Sequence, residues 1–316
     1  MQPITTAYGV IEATGRQELY ASGALLSCRP GVACALETPL GKLIPQHTTD
    51  DLRKKEVQPV VFHESGRLKS LPLETQTIVS TPAGDIPAEM LTFHPDGSLS
   101  RVFPLNGKLS GYWGQDDEAG LAAPLTLLTP VGVLTAMVIG VGFHPSGAMR
   151  SLTLWPGHTV SIPTPAGVIE TRMGVAFLPN GTIRSVEPAR FTPVETPAGE
   201  IAAFDPDAVG VNGDTNSLVF HRDGSVARIA TILTRLTVAA PDGRTALFTP
   251  KERESLCGDT EREMVPMVVE FTPEAVTVRV DPDTPATRIP RAGHAFFSAP
   301  WLPRLANPFG QLRCSI

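Results

Sequence analysis

Phe93-His94-Pro95-Asp96-Gly97-Ser98-Leu99-Ser100-Arg101-Val102 carries the pattern that decides the architecture of this 316-residue chain. An aromatic residue leads into Pro-Asp-Gly: Pro presets φ at the second turn position, Asp suits the third, and Gly supplies the left-handed residue that closes a type I turn with a bulge. Such a turn joins two antiparallel strands. The same Phe-x-x-x-Gly string recurs at Phe62–Gly66, Phe143–Gly147, Phe177–Gly181 and Phe220–Gly224. A second signature, Thr-Pro-x-Gly, alternates with it at Thr38–Gly41, Thr81–Gly84, Thr129–Gly132, Thr164–Gly167 and Thr196–Gly199, with Ala240–Gly243 as a weaker copy.

Aliphatic residues keep fixed offsets from these turns. Leu68, Leu99, Met149, Ile183 and Val226 stand two after the Phe-turn glycine, and Leu71, Val102, Leu152, Val186 and Ile229 stand five after it. Leu36, Val79, Leu127, Ile162, Val194 and Val238 stand two before the second turn. In a bulged hairpin the Phe lies opposite the residue two past the Gly, as a cross-strand pair. Offsets of two and five differ by an odd number, so in an unbroken strand these residues point to opposite faces. Either both faces are covered or a bulge bends the strand midway. Both solutions predict an all-β, repetitive antiparallel hairpin or meander array, two-layered or rolled.

Units are short, 31 residues from Gly66 to Gly97 and 34 from Gly147 to Gly181. A four-stranded propeller blade needs about 40. With two turns per unit, the spacing places Phe turns along one edge and Thr-Pro turns along the other. Degraded copies at Leu19–Gly23 and Phe271–Ala275 extend the array to seven units with atypical ends, as expected of caps. The array therefore covers residues 1–281, interrupted by insertions at 44–58, 106–124, 203–217 and 250–265. Thr249-Pro250-Lys251-Glu252 reads as a capping box that starts a short helix, and a second short helix is expected near Thr49. Residues 282–316, Pro-rich with Phe296, Phe297, Trp301 and Phe309, read as a tail packed on the array.

A formal charge of -6 with no clustered basic face argues against nucleic-acid binding; the densest basic run, Arg53-Lys54-Lys55, follows Asp50-Asp51. Met1–Thr6 lacks a basic segment followed by an apolar one, and no 18-residue apolar run occurs, so a soluble cytoplasmic chain is expected. Cys28, Cys34, Cys257 and Cys314 are too widely spaced for paired Cys-x-x-Cys zinc ligation and too few for a disulfide scaffold. Reduced thiols are expected.

Several groups could carry chemistry. His63, His94, His144 and His221 occupy one place in the Phe turn and could line up as a metal or proton-handling ladder; the structural alternative is a local hydrogen bond to the backbone. Asp205, Asp207, Asn212, Asp214 and Asn216 offer oxygen ligands for calcium, although Val209 breaks the EF-hand pattern. No other cofactor is indicated. Tyr112 and Trp113 lie beside Asp116, Asp117 and Glu118, a ligand or partner surface or an acid/base pair. Gly140-Val141-Gly142 leads into a hairpin, not a helix, so it makes no phosphate loop, and no Gly-x-Ser-x-Gly elbow occurs.

The unit from Phe93 to Val102 resembles MORN-type repeats and their bacterial antitoxin-like variants, over much of residues 19–280 and with a longer period. The resemblance implies successive β-hairpins. The membrane-lipid association of that family is not expected in an acidic chain. A protein-binding or scaffold module with a protein partner is the leading functional expectation, since repeat arrays present long surfaces and no catalytic constellation stands out. The alternatives are a metal-dependent enzyme that combines Asp116, Asp117, Asp205, Asp207, Asp214 and a turn His, or a carrier with a small ligand inside a rolled barrel.

Overall fold

The computed structural model describes residues 1–208, 213, 216–254 and 262–302. In it the Phe turns close as their residues dictate. The His63 N–H bonds the Arg67 carbonyl and the Gly66 N–H bonds the His63 carbonyl, both at 2.8 Å, and the pattern repeats at His94, His144, Leu178 and His221. Gly66, Gly97, Gly147, Gly181 and Gly224 hold φ between 81° and 88°, where a side chain would be strained. Phe62 faces Leu68, Phe93 faces Leu99, Phe143 faces Met149 and Phe220 faces Val226, the cross-strand pairs that the offsets require.

A bulge resolves the parity of the offsets. Val61 pairs with Ser70 although Phe62 pairs with Leu68, so Lys69 is an extra residue; Ser100, Arg150 and Ala227 are extra in the same place. The inserted residue turns the two aliphatic positions to one face. Leu68, Leu71, Met149, Leu152, Val226 and Ile229 are all buried.

Among the described residues, seventeen strands belong to an antiparallel meander in which successive strands pair. The chain divides into two compact units, one of Met1–Val160, Met173–Thr182 and Gly210–Asp214, the other of Ser161–Arg172, Ile183–Val209 and Thr215–Ile316. In the first, Leu25–Pro30, Val60–Phe62, Leu68–Thr81, Gly84–Phe93 and Leu99–Phe103 follow one another across the sheet. In the second, Leu218–Phe220, Val226–Thr231, Met267–Phe271, Ala275–Arg279 and Thr287–Pro290 do the same.

The Thr turns form a further set of hairpins. In each, the Thr Oγ1 donates to the Gly carbonyl, at Thr38, Thr81, Thr129, Thr164 and Thr196, and also at Thr6–Gly9, a copy that the Thr-Pro pattern misses because Ala7 stands in the Pro position. Each pairs two aliphatic residues on its inner side, such as Leu36 with Leu43, Val79 with Ile86, Leu127 with Leu134 and Val194 with Ile201. Leu36, Val79, Leu127, Ile162 and Val194 are all buried. Burying each is worth about 1.5–3 kcal/mol.

These hairpins lie beside the Phe turns, which overturns the expectation of opposite edges. A methyl at Gly147 would stand 3.6 Å from the Pro82 ring, one at Gly181 3.3 Å from Pro130, and one at Gly224 3.3 Å from Pro165. The long strands do not run straight: between the pairs Pro72–Met90 and Thr77–Ala88 the first strand carries four residues against one, and the kink lets the distal hairpin fold back. Ala240–Gly243 also proves to be of the other type. Ala240 N–H bonds Arg244 and Gly243 N–H bonds Ala240, the bonding of a Phe turn.

The only helix among the described residues is Gln115–Ala119, in the 106–124 insertion. Thr249–Glu252 starts none: Lys251–Glu254 pairs with Arg262–Val265 as a hairpin, with Arg253 bridging Glu263 across it, so tertiary pairing overrides the capping signal. Near Thr49 the cap exists without a helix. The Asp50 carboxylate accepts from Leu52, Arg53 and Lys54 N–H groups and closes a single turn. In the tail, Thr287–Pro290 and Ala295–Pro300 are strands, the latter paired with Thr234–Ala239; Phe309 lies outside the described residues.

Leu127 and Leu128 are adjacent, yet one is buried and the other 58% exposed. Leu127→Ala is expected to cost about 2–5 kcal/mol, and Leu128→Ala no more than about 0.5 kcal/mol, read as urea midpoints. Equal losses would show that the hairpin does not bury its inner face.

Candidate functional site

The repeated histidines are the first candidates, and all four are engaged. His63 Nε2 donates to the Phe93 carbonyl at 3.1 Å, His94 to Phe143 at 2.9 Å, His144 to Phe177 at 3.0 Å and His221 to Phe271 at 2.8 Å. A carbonyl only accepts, so Nε2 carries the proton. Tyr20, in the corresponding place of the first unit, does the same with its hydroxyl on Phe62 at 2.9 Å. The bond is therefore not local: each of these turns fastens the next. Leu178 occupies that place in its own copy and has no donor.

The second candidate lies in the first unit, where insertions 44–58 and 106–124 meet. Arg53 holds two carboxylates at once: Nε and Nη2 donate to Glu118 at 2.7 Å each, and Nη1 and Nη2 to Glu89 at 2.8 and 2.6 Å. All three side chains are close to buried, at 13, 7 and 8% exposure for Arg53, Glu118 and Glu89. The remaining carboxylate lone pairs are met as well, by Trp113 Nε1 and Gly107 N on Glu118 and by Asn106 N on Glu89. Burial pushes the Glu118 carboxyl up, but bonds from Arg53, Trp113 and Gly107 hold it below the usual carboxylate value. The Glu118 hydrogen bond is the main reason the guanidinium pKa rises.

The expected surface of Tyr112, Trp113, Asp116, Asp117 and Glu118 is thus divided. Glu118 and the Trp113 Nε1 belong to the buried network, whereas Asp116 and Asp117 face water on the helix. Tyr112 is exposed with Lys55 over its ring at 4.4 Å. A cleft of about 320 Å³ opens beside the network, lined by Thr48, Asp50, Lys54, Glu74, Gln76 and Glu89.

In the second unit a carboxylate that the sequence reading did not single out is wholly buried. Glu187 accepts from Ser217 N at 2.6 Å and Asp205 N at 3.3 Å, with Arg172 3.9 Å away. Burial is the main cause that pushes its carboxyl to about 7. Arg172 lies over the Phe204 ring and donates to the Asp205 carbonyl at 2.6 Å. The sequence does carry a signal: the position six past the turn glycine is Pro72, Phe103, Thr153 or Ala230 in other units, and only here an acid.

Of the calcium candidates, Asp205 accepts the Asp207 N–H, Asp207 pairs with Arg253 at 3.3 Å, and the buried Asn216 donates to Ser185 Oγ at 2.8 Å; Asn212 and Asp214 lie outside the described residues. Among the described residues no three of His, Cys, Asp and Glu gather as metal ligands. Insertions 106–124 and 203–208 belong to different units. Cys28 and Cys34 are free thiols, and burial, then Cys34, raises Cys28 to about 11. Cys257 and Cys314 lie outside the described residues. No family model, curated protein or solved structure matches the chain.

Arg53→Ala leaves the buried Glu118 carboxylate without a cation and Glu89 with only Lys54 at 3.7 Å, and is expected to cost about 3–5 kcal/mol; an unchanged urea midpoint would show the network to be decorative. Glu187 predicts a pH dependence. Its folded value near 7 exceeds the ordinary 4.5, so across that window the folded chain keeps a proton that the unfolded chain has released, and stability falls as pH rises until it levels above 7. Relative to Glu187→Gln, wild type is expected to lose on the order of 3 kcal/mol between pH 4.5 and 7. Parallel stability curves for the two proteins would refute this.

Proposed function

We propose that the chain is a cytoplasmic protein-binding scaffold. The observation that supports this most is the contrast between the two sides of its Thr hairpins. The inner side is aliphatic in every copy, while the outer pair changes: Thr5 with Val10, Glu37 with Lys42, Ser80 with Asp85, Leu128 with Val133, and Glu195 with Glu200. One frame thus displays different chemistry at each copy, the arrangement of a repeat surface that reads a partner. Several outer residues are large, apolar and exposed, Val133 at 62% and Val168 at 75%. No helix among the described residues is long and apolar enough to cross a membrane, and two free thiols suit a reducing compartment. The alternative, an enzyme or small-ligand carrier, draws support from Glu187, whose carboxyl titrates near neutrality.

The full chain, immobilised in a native lysate of its own cells, is expected to retain a protein in stoichiometric amount. At least one of the outward variants Val10→Glu, Leu128→Glu with Val133→Glu, and Val168→Glu should reduce retention about tenfold or more with an unmoved urea midpoint. A stoichiometric metal by elemental analysis with no retained protein would overturn the proposal.

A further inference from the structure

Two pairs of neighbouring Thr hairpins in the first unit are joined by a backbone bond, whereas among the described residues none joins the Ser80 N–H to the Leu40 carbonyl. The Glu37 N–H bonds the Tyr8 carbonyl at 2.8 Å, and the Leu128 N–H bonds the Ala83 carbonyl at 2.9 Å. In each case the residue before Thr donates to the residue two past the preceding Thr. Within the second unit the corresponding groups are the Glu195 N–H and the Ala166 carbonyl, and among the described residues no bond joins them. A cleft of about 520 Å³ lies there instead, walled by Pro165, Ala166, Pro193, Pro197, Phe220 and Val226 and rimmed by Glu195. Its walls are mainly apolar and its size suits a few side chains.

The rim is unusual in charge. Glu195 and Glu200 stand directly opposite each other on the exposed side of their hairpin, a like-charge pair that disfavours the strand pairing it sits on. Neither carboxylate makes a hydrogen bond or ion pair among the described residues, whereas the same positions in the Thr38 hairpin hold Glu37 and Lys42, bridged at 3.0 Å. A cation is the missing complement. Pro193, two residues before Glu195, has no N–H to offer along that edge, so an incoming chain cannot continue as a ladder of paired strands.

We propose that this cleft is a docking site for an extended segment of a partner protein in which a Lys or Arg adjoins an aliphatic or Pro residue. The apolar residue enters between Pro165 and Pro197 over Phe220, the cation meets Glu195 and Glu200, and one backbone carbonyl of the segment accepts the Glu195 N–H. This deepens the scaffold reading and rests on it.

The test uses the full chain and a library of unstructured decapeptides with a fixed central Leu-Pro and flanks that are basic, neutral or acidic, followed by fluorescence anisotropy. Basic peptides are expected to bind wild type at least tenfold more tightly than acidic ones, with the preference shrinking as NaCl rises to 0.5 M. Glu195→Lys with Glu200→Lys should reverse the preference, and Ala166→Trp, which fills the cleft from an exposed position, should weaken both classes. Equal binding of basic and acidic peptides, no peptide binding, or variants that bind as wild type would overturn the proposal. So would a wild-type homodimer in sedimentation that the double Lys variant dissolves, because the occupant would then be a second copy. A lysate partner retained equally by wild type and the Lys variant sinks the cleft and leaves the scaffold reading standing; a lysate with no retained partner sinks the scaffold reading itself.

Discussion

The extra residue three past the glycine of four Phe turns is the constraint on which the rest depends. Were Lys69, Ser100, Arg150 and Ala227 paired in register instead of bulged out, the two aliphatic positions of each strand would face opposite ways, and half would meet water. With the bulges the sheet gains a single apolar face, which needs a second layer. The fold-back Thr hairpins supply it, and Gly199–Ala203 of one such hairpin packs against Val226–Thr231 of the sheet. The side chains that line the Phe turns then follow a common rule, broken by Leu178: His or Tyr reaches forward to the carbonyl that the next turn exposes. His and Tyr are interchangeable there because both place a donor at the same reach.

Among the described residues, the buried carboxylate and guanidinium network forms where the repeat is interrupted, although Arg101 is also buried within a regular strand. Glu89 sits at the kink between sheet and hairpin, and Arg53 and Glu118 come from the two insertions that cover it. Three ionised side chains with every oxygen bonded tolerate burial where an apolar plug would also have served. Glu187 is a different solution to a similar place, a carboxylate held by backbone N–H groups with its cation at longer range, and its raised pKa reflects the weaker compensation.

The turn chemistry and the aliphatic offsets were legible because they are local: a turn type and a residue two positions along from it specify a cross-strand pair. What the sequence did not show is where a strand bends. The opposite-edge expectation assumed straight crossings, and the kink after Pro72 leaves no mark in the alternation. Pro-x-Gly is shared by both turn types, so the string alone does not separate Ala240–Gly243 from the Thr turns, and Thr6–Gly9 is invisible without its proline. The Thr249 capping box was present but outweighed by pairing with Arg262–Val265. Arg53 and Glu118 lie 65 positions apart, and nothing local in either signals the other.

The contact of Pro82 with Gly147, of Pro130 with Gly181 and of Pro165 with Gly224 skips a turn of each kind, and Tyr8 reaches Leu68 in the same manner. Each repeat is therefore held by the second one after it as well as by its immediate neighbour. In a solenoid with only nearest-neighbour coupling a nascent chain consolidates one repeat at a time. Here a Thr hairpin emerging from the ribosome lacks part of its seat until some fifty to sixty-five further residues, by the spacing of these contacts, have been made. Synthesis and assembly are thereby interlocked, and an array cut between repeats exposes apolar surface at two levels instead of one.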